Sequence, residues 1–133
     1  MANTGSIVGQ VNIAVLNDGT SAVSTTHDDT ATTTFTECVE AILTLSCSAV
    51  SSSGIFVPIL QGSTDGGTSY TSLVPTTGVV LPAVSATGTQ TYRYRQLPPK
   101  VRLDWTKTSG TSVTVVGLIV GLNPTNSANA SAV

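Results

Sequence analysis

Few side chains in this chain of 133 residues are spaced to do chemistry. Its single histidine, His27, precedes Asp28 and Asp29, and an imidazole beside two carboxylates could bind a metal ion. Neighbours on an extended chain point to opposite faces, and no second histidine or cysteine pair lies at ligand spacing. The triplet is therefore read as a solvated polar loop. Glu37 and Glu40 could form the acid–base pair of a glycosidase, but a separation of three places them on opposite faces of a strand. None of the serines has a Gly-x-Ser-x-Gly setting for a nucleophile. Asp65-Gly66-Gly67 lacks the alternating carboxylates of a calcium loop and reads as a hairpin turn. No Walker-type or dinucleotide-type glycine loop is present. Neither catalysis nor a metal or other cofactor is expected.

One cluster combines charge with aromatic rings: Tyr92, Arg93, Tyr94 and Arg95. Alternation puts both tyrosines on one face and both arginines on the other. Three uses stay open: core tyrosines under a solvated arginine face, a subunit interface anchored by arginine, or a platform for bases or sugars. Lys100, Arg102 and Lys107 follow, so all five basic residues fall in one third of the chain.

The elements that carry these residues are strands. Val101, Leu103 and Trp105 alternate with Arg102, Asp104 and Thr106, the period of a strand with one buried and one wet face. Lys107 to Gly110 supplies turn residues, with Gly110 able to take a positive φ. Residues 112–122 are β-branched and nearly all apolar, which predicts a strand covered on both faces. Residues 7–16 predict a strand with Val11, Ile13 and Val15 on one face, closed by a turn at Asn17-Asp18-Gly19. Residues 35–49 are the longest alternation: Val39, Ala41, Leu43, Leu45 and Cys47 face one way, Glu40, Thr44 and Ser46 the other, and Ile42 interrupts. Residues 55–61 predict a strand that Pro58 marks as an edge or a bulge. Residues 70–74 and 79–81 predict short extended segments. Together these are about eight strands, and the spacing of turns predicts an antiparallel β-sandwich or barrel.

Composition agrees with an all-β chain. Thr and Val are abundant, and the usual helix formers are scarce. Charged residues make up only 9%, and the net charge is −2, so no general attraction to nucleic acid or to an anionic membrane is expected. No basic segment leads into an apolar run at the start, so no signal peptide is expected. The longest apolar run, 113–122, is too short to span a bilayer as a helix. Synthesis in the cytoplasm and a soluble product follow as expectations. Cys38 and Cys47 lie an odd number of residues apart, about 30 Å if extended, so free thiols are expected rather than a bridge. Residues 123–133 have almost no apolar bulk and would fray unless a neighbouring subunit or larger assembly held them. The expected layout is an arm at 1–8, a sandwich at 9–122 and a second arm at 123–133.

Two segments together resemble a known family. Ile59-Leu60-Gln61-Gly62-Ser63-Thr64-Asp65-Gly66-Gly67-Thr68-Ser69-Tyr70-Thr71-Ser72-Leu73 resembles the strand–turn–strand of small jelly-roll proteins of tailed phages, in which a Leu-Gln-x-Ser-x-Asp-Gly turn leads to an aromatic residue. Residues 95–116, with Val101-Arg102-Leu103-Asp104-Trp105-Thr106 and the hairpin at Ser109-Gly110-Thr111, resemble the late hairpin of the same proteins. These are the head decoration, or cement, proteins. The likeness is a pattern of turns, and the Ser-x-Asp-Gly turn also occurs in discoidin-like carbohydrate-binding sandwiches. Tyr70 stands where Trp is common, and Gly67 is an additional glycine.

The resemblance implies a jelly-roll β-sandwich on the outer surface of a capsid, bridging shell subunits against the pressure of packed DNA. The implied partners are the major capsid protein and further copies of the chain, as a trimer rather than a dimer, with neither nucleic acid nor membrane. The residues expected at interfaces are Ile7, Arg93, Arg95, Lys100, Arg102, Asn123, Pro124 and Val133. Two alternatives stand beside this reading. One is a carbohydrate-binding module of a phage tail or fibre, which needs exposed rings among Tyr70, Tyr92, Tyr94 and Trp105. The other is a tail-tube or head-completion protein.

Overall fold

A computed structural model describes residues 11–19, 22–25, 33–34 and 38–124 of the chain. Every regular element in them is a strand: β1 (Val11–Asp18), β2 (Thr33–Thr34), β3 (Cys38–Ser51), β4 (Ile55–Ser63), β5 (Thr71–Ser72), β6 (Gly88–Leu97), β7 (Lys100–Ser109) and β8 (Ser112–Pro124). All strand pairs are antiparallel. The first strand pairs with the last, β2 with β7, β3 with β6 and β4 with β5, as in one long hairpin folded at its middle. Two further pairings, β3 with β8 and β4 with β7, roll that hairpin onto itself. The result is two four-stranded sheets, β1-β8-β3-β6 and β2-β7-β4-β5. The chain is an antiparallel β-sandwich.

The core lies between the sheets. The first contributes Ala14, Leu16, Ala41, Leu43, Leu45, Tyr94, Val113, Val115 and Ile119, and the second Phe56, Leu60, Val101, Leu103 and Trp105. Each large side chain withdrawn from water contributes roughly 1.5–3 kcal/mol, before the entropy of ordering it is subtracted. The sheets approach closely at Gly117, where an added Cβ would stand 2.9 Å from Leu103 Cδ1. Cys47 is buried and free. The expected alternations of β3, β6 and β7 place their apolar side inward, except that Val39, at the start of the expected inner set of β3, is exposed.

Pro58 behaves as its chemistry demands. On the edge of β4 away from β7, Phe56 N–H donates to Val84 O (3.1 Å) and Leu73 N–H donates to Leu60 O (2.8 Å). Pro58 lies between these two residues with the same parity, so its nitrogen faces that edge. β5 pairs only with Gln61 and Gly62 and does not reach it, so no ladder bond is lost.

Several expectations are corrected. The turn at 17–19 begins later: β1 runs through Asp18 with a bulge between Val15 and Asn17. No strand forms at 79–81, where only Leu81 enters the core and Val79 and Val80 stay exposed. β8 continues to Pro124, opposite Cys38 and past the expected boundary at 122. Most consequentially, β8 is not covered on both faces. Its inward residues are buried, while Leu118, Val120 and Leu122 on the outward side are only half-buried, because the described chain forms just two layers.

Candidate interaction face

The outer face of the first sheet can be read row by row from its register. In one row Ile13, Val120, Ile42 and Arg93 lie side by side across β1, β8, β3 and β6. In the next, Val15, Leu118, Thr44 and Thr91 do so. In the row on the other side, Leu122, Glu40 and Arg95 are neighbours. Six apolar side chains, Ile13, Val15, Ile42, Leu118, Val120 and Leu122, therefore form a strip bordered along β6 by arginine and threonine. Ile13 is 68% exposed and Val15 is 50% exposed. The cause is local: strand parity turns Ala14 and Leu16 inward, and both large β-branched neighbours must then face out.

Arg93 and Arg95 are exposed, and Tyr94 between them is buried. The cluster thus resolves into a core tyrosine under an arginine face, with Tyr92 half-buried beside it. No ion pair or hydrogen bond to either guanidinium occurs among the described residues. The backbone of Arg93 is fixed from outside the sheet, since Thr76 N–H donates to its carbonyl at 2.9 Å. Where the strip meets these arginines there is a depression of about 130 Å³, lined by Glu40, Ile42, Thr76, Arg93, Arg95 and Leu122.

Lys100 and Arg102 do not join this face. The chain passes through Pro98 and Pro99 into β7, so both belong to the second sheet. The basic segment is therefore split between two opposite surfaces. Arg102 Nε donates to Gln61 Oε1 at 2.8 Å, and its guanidinium lies 4.0 Å from the centroid of the Tyr70 ring. The adjoining turn is closed by its own polar groups. Ser63 Oγ donates to Asp65 Oδ1 at 2.7 Å, Ser69 Oγ donates to Asp65 Oδ2 at 2.6 Å, and Ser69 N–H donates to Oδ1 at 3.0 Å. Gly67 N–H in turn donates to Ser63 Oγ at 2.9 Å. The Ser63 hydroxyl, and after it the hydroxyl and backbone N–H of Ser69, hold the Asp65 carboxyl well below the usual carboxylate range. Both carboxylate oxygens are committed within the turn, which makes it a structural device.

Of the other residues expected at interfaces, Asn123 and Pro124 end β8, and Ile7 and Val133 lie outside the described residues. His27, Asp28, Asp29 and Glu37 also lie outside them. Among the described residues no group of three or more His, Cys, Asp or Glu is placed to hold a metal ion. The apolar strip itself was missed by sequence reasoning. Its signals were Ile42, which breaks the alternation of β3, and the unbroken apolar run of β8.

Compared with family models, with curated proteins and with solved structures, the chain finds no match. Function must therefore be read from the face itself.

Proposed function

We propose that the protein is a structural subunit that attaches to the outside of a protein shell, a bacteriophage capsid, and stabilises it by bridging shell subunits. The observation that carries this reading is the apolar strip on the outer face of the first sheet, flanked by two arginines without partners among the described residues. Contiguous exposed apolar surface of this kind marks a site of association. The strand order β1-β8-β3-β6 and β2-β7-β4-β5 supports a jelly-roll assignment, the fold implied by the resemblance of residues 59–73 and 95–116 to decoration proteins. The mechanism is multivalent adhesion. Contacts of modest strength, made by a homo-oligomer to several shell subunits at once, gain about 10²–10⁴ in avidity.

A carbohydrate-binding role would need open aromatic faces around a groove. Trp105 and Tyr94 are buried, and the Tyr70 ring is stacked by Arg102, which does not favour it. The test is to add the purified protein to empty shells assembled from the capsid protein of the same phage. Saturable binding that raises the temperature at which the shells disrupt is the expected result. Absence of binding overturns the proposal. Removing residues 125–133, which follow β8 in sequence, in the same assay measures what the expected second arm contributes.

A further inference from the structure

We infer that the outer face of the first sheet seats on a protein different from this chain, one presenting an apolar patch flanked by carboxylates, and that copies of the chain do not use this face to contact one another. The inference rests on the functional reading above and names the partner surface of that site.

The first ground is β8. Its residues from 113 to 122 are almost all apolar, the composition of a strand covered on both faces, yet the described fold covers one. The second ground is size. Strand spacing of about 4.8 Å and a rise of about 3.4 Å per residue make the strip roughly 15 Å by 15 Å. That is a few hundred Å² once side-chain relief is included, the scale of a functional patch on a monomer. It falls short of the roughly 800 Å² per partner of a standard interface. The strip therefore serves as the apolar centre of a larger contact, and the polar rim is already on the same face: Thr44, Thr91, Arg93, Arg95, and Ser46, whose hydroxyl is hydrogen-bonded to that of Thr89 at 2.9 Å.

The third ground is charge, and it decides the occupant. Each copy brings two guanidinium groups to this face, Arg93 and Arg95, and one carboxylate, Glu40. When two copies stack this face on itself, a two-fold axis across the strands puts β6 over β6 and guanidinium against guanidinium. An axis along the strands through the centre of the sheet puts β6 over β1, with Arg93 against Ile13. Run between β3 and β6, it pairs Arg95 with Glu40 of the other copy but sets Arg93 against Ile42. With one carboxylate to two guanidinium groups per copy, each arrangement leaves at least one arginine of each copy out of water without a partner, which is unfavourable. A surface with carboxylates opposite Arg93 and Arg95 satisfies both through charge-assisted, bidentate hydrogen bonds. The depression beside Glu40, Ile42 and Leu122 gives one partner side chain a place to anchor.

The experiment uses the whole chain with shells assembled from the capsid protein of the same phage. Ile13→Asp and the double variant Arg93→Glu/Arg95→Glu are compared with the wild type, with Arg93→Lys/Arg95→Lys as a charge-retaining control. Emission from Trp105 verifies folding of each. Both disruptive variants are expected to weaken shell binding by about tenfold or more. The lysine variant is expected to fall between them and the wild type, and the size of the free protein in solution is expected to stay unchanged. Wild-type binding should weaken with added salt more steeply than that of the glutamate variant. If the wild type binds and the variants bind equally well, this inference fails and the functional reading stands. If the variants instead dissociate a homo-oligomer, the face is a self-contact and the inference is overturned. If the wild type does not bind, both fall together.

Discussion

The indole Nε1–H of Trp105 reaches Asn17 Oδ1 at 3.4 Å, a hydrogen bond that joins the two sheets. Trp105 lies fully buried on β7 of the second sheet, and Asn17 lies on β1 of the first, where the bulge between Val15 and Asn17 shifts the register. Trp105→Ala should cost about 3–5 kcal/mol, as expected for emptying a large buried site. Asn17→Ala leaves the indole N–H without its acceptor, and the length of the bond places the loss near the low end of the range, about 1 kcal/mol. Chemical denaturation checks both, followed by circular dichroism for the first and by tryptophan emission for the second. Trp105 is the only tryptophan in the chain, so its emission should be blue-shifted when folded and should move red in a single transition.

Gly110 has φ +76°, and a Cβ there would stand 2.4 Å from both Gly54 Cα and Ser53 O. The β7–β8 turn is thus pressed against the β3–β4 turn, backbone to backbone. Gly66 has nearly the same conformation, φ +78°, but nothing within 4 Å of an added Cβ. The pair separates conformational strain from crowding. Gly66→Ala should cost only the left-handed penalty, about 1–2 kcal/mol. Gly110→Ala should lose clearly more, because both turns must move. Thermal melts of the two variants side by side test this, and equal losses would mean that the contact carries no weight.

The same residues show what could be read in the chain. Gly110 was legible because only glycine suits a tight turn after an alternating strand. β7 was legible because Arg102 and Thr106 contrast with Val101, Leu103 and Trp105. β1 was not fully legible: Ile13 and Val15 have one parity, Ala14 and Leu16 the other, and both sets are apolar, so periodicity alone could not choose the inner face. β8 has the same ambiguity, which is why the strip of Leu118, Val120 and Leu122 was hidden. β2 is two residues long and exists through partners distant in sequence, Lys100 and Val101, so nothing local specifies it. β5, also two residues, falls within the extended segment expected at 70–74 and pairs with Gln61 and Gly62 across the turn at Asp65-Gly66-Gly67. The five basic residues looked like one cluster because sequence distance does not register the change of sheet at Pro98 and Pro99.

Tyr94 hides a polar atom in the core. Its hydroxyl is buried with no hydrogen-bond partner among the described residues, a cost of about 1–3 kcal/mol. Tyr94→Phe removes that cost and should stabilise the protein by about 1 kcal/mol. Burial, and after it the neighbouring Tyr92 phenol, pushes the Tyr94 hydroxyl above its usual range. A raised folded-state value means that this group's contribution is fully present below the unfolded value of about 10 and is lost as pH rises toward the folded value. Wild-type stability should therefore fall above about pH 10. Tyr94→Phe should fall less, keeping only the smaller contribution of Tyr92, whose phenol burial also raises. Urea midpoints from pH 8 upward measure the difference. A variant less stable than the wild type at pH 8 would show that the hydroxyl is satisfied after all.

Asp65 predicts the opposite end of the pH scale. Hydrogen bonds from Ser63 and Ser69 favour its charged form and depress its folded-state value. A depressed value means the contribution is present above the unfolded value of about 3.9 and is lost as pH falls through the folded one. Wild-type melting temperature should therefore decline below about pH 4 more steeply than that of Asp65→Asn. The variant should also be the less stable of the two at pH 7, because an amide replaces one carboxylate oxygen with a donor and cannot accept from both serine hydroxyls. The turn positions Tyr70 directly after Ser69, and the Tyr70 ring carries the Arg102 guanidinium at 4.0 Å. Loosening at low pH should release that stack before the core opens, so Tyr70 ring resonances in NMR should shift at a higher pH than the Trp105 indole signal. If both signals move in one step, the turn melts only with the sandwich as a whole, and Asp65 is not a local clamp.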